Sequence, residues 1–215
     1  AVDAMANALP PSEFTETIIN DLRRTYQSGT TMSKAFSLWL ETVLGAEGLI
    51  VFDSSDPAAK PFVKTLFEQE LRNTQTAALA TEAGKQLVAR GYHAQVTPHP
   101  ESVALFRIDG VRHAIRRSNN SFTVDNAPVE LNVLLKTLDQ HPEQFSPNVL
   151  LRPLVQDTLF PTVCYVPGPN ELAYLAQLRN IYELFEVPMP LIYPRDSATL
   201  LDSTGARFLK RNNLS

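Results

Sequence analysis

Cysteine is nearly missing from this chain. A single residue, Cys164, among 215 excludes a disulfide framework. The fold must then be held by its core, and nothing in the composition asks for an oxidising compartment, so a cytoplasmic protein is expected. Histidine is scarce too. His93, His99, His113 and His141 stand too far apart for an i, i+4 ligand pair, and neither HxxxH nor CxxC spacing occurs, so no metal is expected. Unbroken apolar runs extend only a few residues, short of the roughly 20 needed to span a bilayer, so no membrane span is expected. No signal or transit segment is read at the start. A net charge of −4 and a pI near 5.6 argue against a basic surface that tracks nucleic acid. Neither GxGxxG nor GxxxxGK[ST] is present, and no internal repeat or low-complexity tract appears.

What remains is ordinary globular material: 44% hydrophobic and 20% charged residues, enough for a sizeable core. The length fits one large domain or two small ones, and we read residues 1–215 as a single α/β core. The chain begins Ala1-Val2-Asp3 and closes on a polar stretch from Lys210 to Ser215, which reads as a fragment of something longer.

Periodicity places the elements. Ser12 can cap a helix with the stripe Phe14, Ile18, Leu22, Tyr26, stopped by Gly29. Thr31 caps a second, with Met32, Ala35, Phe36, Trp39, Leu40 and Val43 on one face. The continuous apolar run Gly48-Leu49-Ile50-Val51-Phe52 reads as a strand buried on both faces. Helical spacing resumes from Ala58 to Arg90, broken near Asn73-Thr74. Between His93 and Val124 the period shortens. His93–Thr97, Ala104–Ile108, Val111–Arg117 and Phe122–Val124 read as strands, joined by turns at Asp109-Gly110 and Asn119-Asn120. Residues 93–125 are therefore expected to be a small antiparallel insertion. Helices are expected over Pro128–Leu138, Val149–Leu159 and Asn170–Glu186, with buried strands at Thr162–Val166 and Leu191–Tyr193. Three apolar runs separated by helices predict a Rossmann-like, doubly wound parallel sheet carrying that insertion.

Each presumed parallel strand ends in a polar cluster: Asp53, Ser54, Ser55 and Asp56; then Gly168, Asn170 and Glu171; then Arg195, Asp196 and Ser197. Ligands of open α/β sheets lie beyond the carboxyl ends of the strands, although such residues are also what loops and caps contain. Pro167-Gly168-Pro169-Asn170-Glu171 is the most informative: a tight turn at Gly168, proline at the first helical position, an acid in the first turn. Tyr174 and Gln177 follow one turn on, as ligand contacts or as a core tyrosine and its neighbour. Cys164, inside an apolar run, reads as a buried structural thiol.

Longer motifs then carry a resemblance. Phe145-Ser146-Pro147-Asn148-Val149-Leu150-Leu151-Arg152-Pro153-Leu154-Val155-Gln156 resembles an "FS.N..LRP..Q" segment. Gly168-Pro169-Asn170-Glu171-Leu172-Ala173-Tyr174-Leu175-Ala176-Gln177-Leu178 resembles a "GPxEIAYWAQL" signature, with Leu175 where tryptophan is common. Gly48-Leu49 through Asp53, with Asp56-Pro57, resembles a "GL...D..DP" strand and loop. Together they identify the chain as similar to the bacillithiol-biosynthesis cysteine-adding family, BshC, from about Leu9 to Asp202. The resemblance implies a longer protein, with an N-terminal portion completing the Rossmann-like core and a C-terminal coiled coil. It implies a ligase that forms an amide bond by adding L-cysteine to glucosaminyl-malate, the last step toward bacillithiol. It is similar to nucleotide-binding transferases, which brings ATP or a related nucleotide into the expectation, and it allows a homodimer of the full-length protein. On that reading the amides near Gly168, with Asn170, cradle an anion. Arg195 or Arg152 pairs with a carboxylate or phosphate. Glu171, Tyr174 and Gln177 orient the substrate, and Asp53, Ser54, Asp56 and Asn148 complete the candidate set; the catalytic residues stay unassigned. The alternatives are a ligand-binding fragment without turnover and a nucleotidyltransferase-like enzyme acting on another substrate.

Overall fold

The helical spacing between Phe14 and Val43 does produce helices. The computed structural model describes residues 2–119 and 121–214, and the chain divides into two units, Ala1–Asp56 and Pro57–Ser215. In the first, α1 (Val2–Ala8), α2 (Thr15–Thr25) and α3 (Met32–Leu44) follow one another. Thr31 caps α3: its hydroxyl accepts from the Lys34 amide at 3.3 Å, satisfying one of the orphan donors of the first turn. Ile19, Thr25 and Ala35 are buried, whereas Phe14, Ile18 and Met32 of the expected stripes stay exposed.

The first expected parallel strand is not formed. Residues 48–52 carry no strand, no described strand pairs with them, and Leu49, Ile50 and Phe52 are exposed. A continuous apolar run records composition, not pairing; a parallel strand also needs a neighbour to complete its ladder.

In the second unit a 3-10 segment, Pro57–Val63, leads into α4 (Lys64–Asn73) and α5 (Thr76–Ala89). They break where expected, at Thr74, whose φ of 49° no helix tolerates. Then come β1 (Ser102–Asp109), β2 (Val111–Ser118), β3 (Ser121–Val124), β4 (Ala127–Val129), α6 (Leu131–Gln140), β5 (Phe145–Pro147) and α7 (Arg152–Leu159). After them lie β6 (Cys164–Tyr165), α8 (Pro169–Leu175), α9 (Arg179–Leu184), β7 (Leu191–Ile192) and α10 (Ser203–Arg211).

The main sheet corrects the expected fold. It is five-stranded, antiparallel and ordered β4-β3-β2-β1-β5, not a doubly wound parallel sheet. Among the described residues parallel pairing is confined to β6 and β7, where Cys164 faces Leu191 and Tyr165 faces Ile192. The reason is connection length. Asp109-Gly110, with Gly110 at φ 69°, joins β1 directly to β2, and so short a link permits only antiparallel pairing. The antiparallel strands are also no appendage: Val103, Leu105, Ile115, Phe122 and Phe145 share one core with Phe67, Leu71, Leu154, Leu178 and Ile181.

Other boundaries shift as well. The expected strand His93–Thr97 is absent, and β5 arises between the helices expected over Pro128–Leu138 and Val149–Leu159, pairing with Leu105–Arg107. Of the expected turn at Asn119-Asn120, Asn120 lies outside the described residues, while Asn119 sits at φ 55°. Cys164 is exposed rather than buried, as are its neighbour Val163 and its pairing partner Leu191, so this end of the two-stranded sheet is uncovered. The single helix expected over Asn170–Glu186 is two. The Gln177 and Leu178 amides fall back onto the Tyr174 and Leu175 carbonyls (2.9 and 3.0 Å), a tightened turn that ends α8.

Within this core β1 is irregular. Its pairing to β2 slips between Ser102 and Phe106, freeing the Ala104 amide from the ladder. Glu70, fully buried on α4, accepts that amide at Oε1 (2.7 Å) and the Thr76 hydroxyl at Oε2. One carboxyl thus satisfies a bulged strand and the first residue of α5 together.

Candidate functional site

The expected site residues fall into separate groups. Asp53 belongs to the first unit and organises its own turn. Its carboxylate accepts from the Ser55 amide (2.9 Å), the Ser55 hydroxyl (2.6 Å) and the Ser33 hydroxyl (2.8 Å), and Asp56 N donates to Asp53 O at 3.0 Å. Ser54 is exposed on the same turn. This arrangement is an Asx turn, the local use of aspartate that needs no ligand.

Two further candidates serve the fold. The Asn148 side chain accepts from the Leu150 and Leu151 amides (2.9 and 3.4 Å) and so caps the entry to α7. Gln177 is fully buried. Its Nε2 donates to Ala80 O (3.1 Å) and Val96 O (2.9 Å), and its Oε1 accepts from Val96 N (2.9 Å). It clamps the loop before β1 to α5, and an amide so enclosed does not face a ligand.

The remaining candidates meet at the β6–α8 turn. Parallel pairing runs past β6 into it: Tyr193 N donates to Tyr165 O (2.9 Å) and Arg195 N to Pro167 O (2.9 Å). Pro169 opens α8, and Glu171 reaches back so that Oε2 accepts from Gly168 N at 3.1 Å. Its Oε1 accepts from the Tyr165 hydroxyl at 3.2 Å. Tyr165 was not among the expected site residues. The available signal was an aromatic with a polar tip at a strand's carboxyl end, immediately before the glycine turn.

Gly168 explains where Arg195 lies. A Cβ built on Gly168 would come within 2.6 Å of Arg195 Nη2 and 3.2 Å of its Cζ, so a side chain here would displace the guanidinium from its place over the turn. Arg195 is exposed, and among the described residues its side chain has no hydrogen bond or ion pair. Asn170 is exposed on the first turn of α8, and Arg152, exposed at the start of α7, acts electrostatically on Tyr174.

The phenols are strongly perturbed. Burial first, then the Tyr174 and Glu171 charges, hold the Tyr165 hydroxyl far above the ordinary phenol range. Tyr174 is raised as well, again chiefly by burial. Both remain neutral donors at every physiological pH, around a carboxylate that accepts. Nearby, Tyr182 donates to Asp157 Oδ2 at 2.6 Å, while Asp157 Oδ1 is buried without a partner among the described groups. Burial and that bond hold Tyr182 protonated too.

The geometry does not suit a phosphate at Gly168. The turn's own amide is taken by Glu171, and the carboxylate stands where a phosphate would be repelled. Two clefts, of about 630 and 430 Å³, share Arg179 and Glu183, and none of the expected site residues lines either. Among the described residues no three His, Cys, Asp or Glu side chains group as metal ligands. None of the described helices is long and apolar enough to cross a membrane.

Comparison with known proteins fits the motifs around this turn. Residues 1–196 match the family described as bacillithiol biosynthesis BshC, N-terminal Rossmann-like domain. A relative from Salinibacter ruber, named for a cysteine ligase, BshC, is 36% identical over 100% of this chain and 40% of its own length. A protein of the same name from Koribacter versatilis is 37% identical over 92% of this chain and 37% of its own length. One from Chloroherpeton thalassium is 33% identical over 95% and 37%. The chain thus spans about 40% of the length of the first of these relatives.

Proposed function

The chain belongs to the BshC family, and from that premise we propose that it contributes the substrate-holding part of a cysteine ligase. The reaction is amide formation between the carboxyl group of L-cysteine and the amine of glucosaminyl-malate, the closing step of bacillithiol synthesis. The observation that carries this reading is the match along residues 1–196. The β6–α8 turn supports it, since a free guanidinium, an anchored carboxylate and two neutral phenols can orient a small polar substrate. Arg195 receives an anionic group, Glu171 and Tyr174 orient the partner, and Arg152 and Asn170 stand at the edge. ATP or a related nucleotide enters through the chemistry, because joining a carboxylate to an amine requires its activation. We route no phosphate contact through Gly168. A cytoplasmic setting and a homodimer of the full-length protein belong to the same proposal.

The test is product formation. The full-length protein, given cysteine, glucosaminyl-malate and ATP, is expected to yield a species with the summed mass of cysteine and glucosaminyl-malate less one water, the mass of the amide. Product from another amino donor alone refutes the cysteine assignment. A second reading, ligand binding without turnover, draws on the chain's coverage of 40% of its relative. It is favoured if the 215-residue chain binds cysteine by calorimetry yet forms no product under conditions where the full-length protein does.

A further inference from the structure

Parallel strands are ordinarily covered on both faces, because their connections lay helices over them. The pair β6–β7 is covered on one. Its ladder runs from Leu191 N donating to Val163 O (3.1 Å), through Tyr193 N to Tyr165 O (2.9 Å), to Arg195 N on Pro167 O (2.9 Å). Tyr165 and Ile192, opposite each other in register, pack against the core. The alternate residues, Cys164 and Val166 along one strand and Leu191 and Tyr193 along the other, form the second face. All are exposed, Leu191 by 72% and Tyr193 by 60%. Such a patch of apolar side chains in water is a surface that a further layer would bury.

The next helix along the chain lacks a surface to pack on. α10 has nine residues and is closed at both ends. Asp202 accepts from Gly205 N at 2.6 Å, and Leu214 N donates to Leu209 O at 3.0 Å behind Asn213 at φ 52°. Caps set its length, but so short a helix is marginal in water until an apolar stripe packs on something. The stripe exists. Gly205, Phe208 and Leu209 fall at i, i+3 and i+4, with Leu201 just ahead of the cap, while Arg207, Lys210 and Arg211 hold the reverse side. Yet no residue of α10 is buried, and Phe208 and Leu201 are 59% and 54% exposed.

The two surfaces match in size and lie within reach of each other. A helix of this length measures about 14 Å, and the ladder from Val163 to Pro167 about 16 Å. Residues 194–202 between them are exposed and carry no helix or strand; extended, they span roughly 30 Å. We propose that α10 is a hinged cover for the β6–β7 pair, folding back so that Leu201, Phe208 and Leu209 lie on Cys164, Val166, Leu191 and Tyr193. The arrangement described above is its open form. Closure gives the parallel pair its second layer and leaves the basic side of α10 in solvent.

Cys164 is the chain's single thiol and lies on the face to be covered, so its reactivity reports closure directly. The experiment is the rate of iodoacetamide alkylation of the 215-residue chain, followed by mass spectrometry. A covered thiol reacts slowly, so Phe208→Ser/Leu209→Ser is expected to be alkylated about fivefold or more faster than wild type. Lys210→Ser, on the reverse side, is expected to react at the wild-type rate. Equal thermal midpoints verify that the core is intact in each protein. The wild-type rate is expected to be independent of protein concentration, as closure within one chain requires. Equal rates in wild type and Phe208→Ser/Leu209→Ser overturn the cover. Protection that grows with protein concentration also overturns it, and assigns the face to a second copy of the chain.

Discussion

Raising the pH from 4.5 to 8 should weaken this protein, and replacing Glu70 by glutamine should abolish most of that loss. Glu70 is fully buried, with its carboxyl between the Ala104 amide and the Thr76 hydroxyl. Burial pushes its pKa from 4.5 to about 7, more than those two hydrogen bonds can offset. An acid whose folded pKa is raised is protonated preferentially in the folded state. Its contribution to stability is therefore complete below about 4.5, declines as pH rises, and is gone once pH passes about 7. At roughly 1.4 kcal/mol for each pH unit of that window, ionised Glu70 costs on the order of 3 kcal/mol. In a unit this large that corresponds to roughly 6–12 °C in melting midpoint.

Glu70→Gln keeps the geometry and removes the charge. Its Oε1 accepts from Ala104 N, and its amide donates to the Thr76 hydroxyl. Other titrating groups are common to both proteins, so the quantity to follow is the difference in melting midpoint, by circular dichroism, between wild type and Glu70→Gln from pH 4.5 to 8.5. The variant should gain on the wild type through the window and level off above pH 7. Parallel curves for the two proteins would refute the reasoning, because Glu70 would then ionise alike in folded and unfolded chains.

Two other substitutions read different parts of the structure. Gln177→Ala removes three buried hydrogen bonds and leaves the Val96 amide and the Ala80 and Val96 carbonyls without them. It should cost roughly 2–4 kcal/mol in denaturant unfolding, with faster amide exchange at Val96; an unchanged midpoint would show that the clamp carries no weight. Tyr182→Phe leaves Asp157 with neither oxygen hydrogen-bonded. It should destabilise by about 1–3 kcal/mol, and Asp157→Asn in that background should recover part of the loss; no recovery would place the cost in packing.

The chemistry of the β6–α8 turn was legible because it is local. Proline after glycine, with an acid two residues on, specifies a capped helix start through bonds of three residues' span, and Pro169 and Glu171 sit where that rule puts them. The topology was not legible, because pairing is a relation between distant segments. Residues 48–52 and 162–166 have similar apolar composition; among the described residues the second pairs with another strand, Leu191–Ile192, and the first with none, and nothing inside either run encodes that. β5 was hidden for the opposite reason. Phe145-Ser146-Pro147 is too short to show a period, and it is a strand because Leu105–Arg107 offers it a free edge. Gln177 reads as a polar residue one turn from the site, yet both its partners lie more than 80 residues earlier in the chain.

Those long-range bonds join the two chemistries that sequence reading keeps apart. Glu70 holds the Thr76 hydroxyl at the start of α5. Ala80, one turn along that helix, gives its carbonyl to Gln177, and Gln177 ends the tightened turn that follows α8. A continuous line of buried, hydrogen-bonded groups therefore runs from the bulge in β1 to the helix that carries Glu171 and Tyr174. Each contact in it is short-ranged and either made or lost, so the line does not deform smoothly. The turn that ends the helix carrying Glu171 is thus tied to α5 and to the loop before β1. The short parallel pair β6–β7 supplies the edge on which Arg195 is set, through Arg195 N donating to Pro167 O.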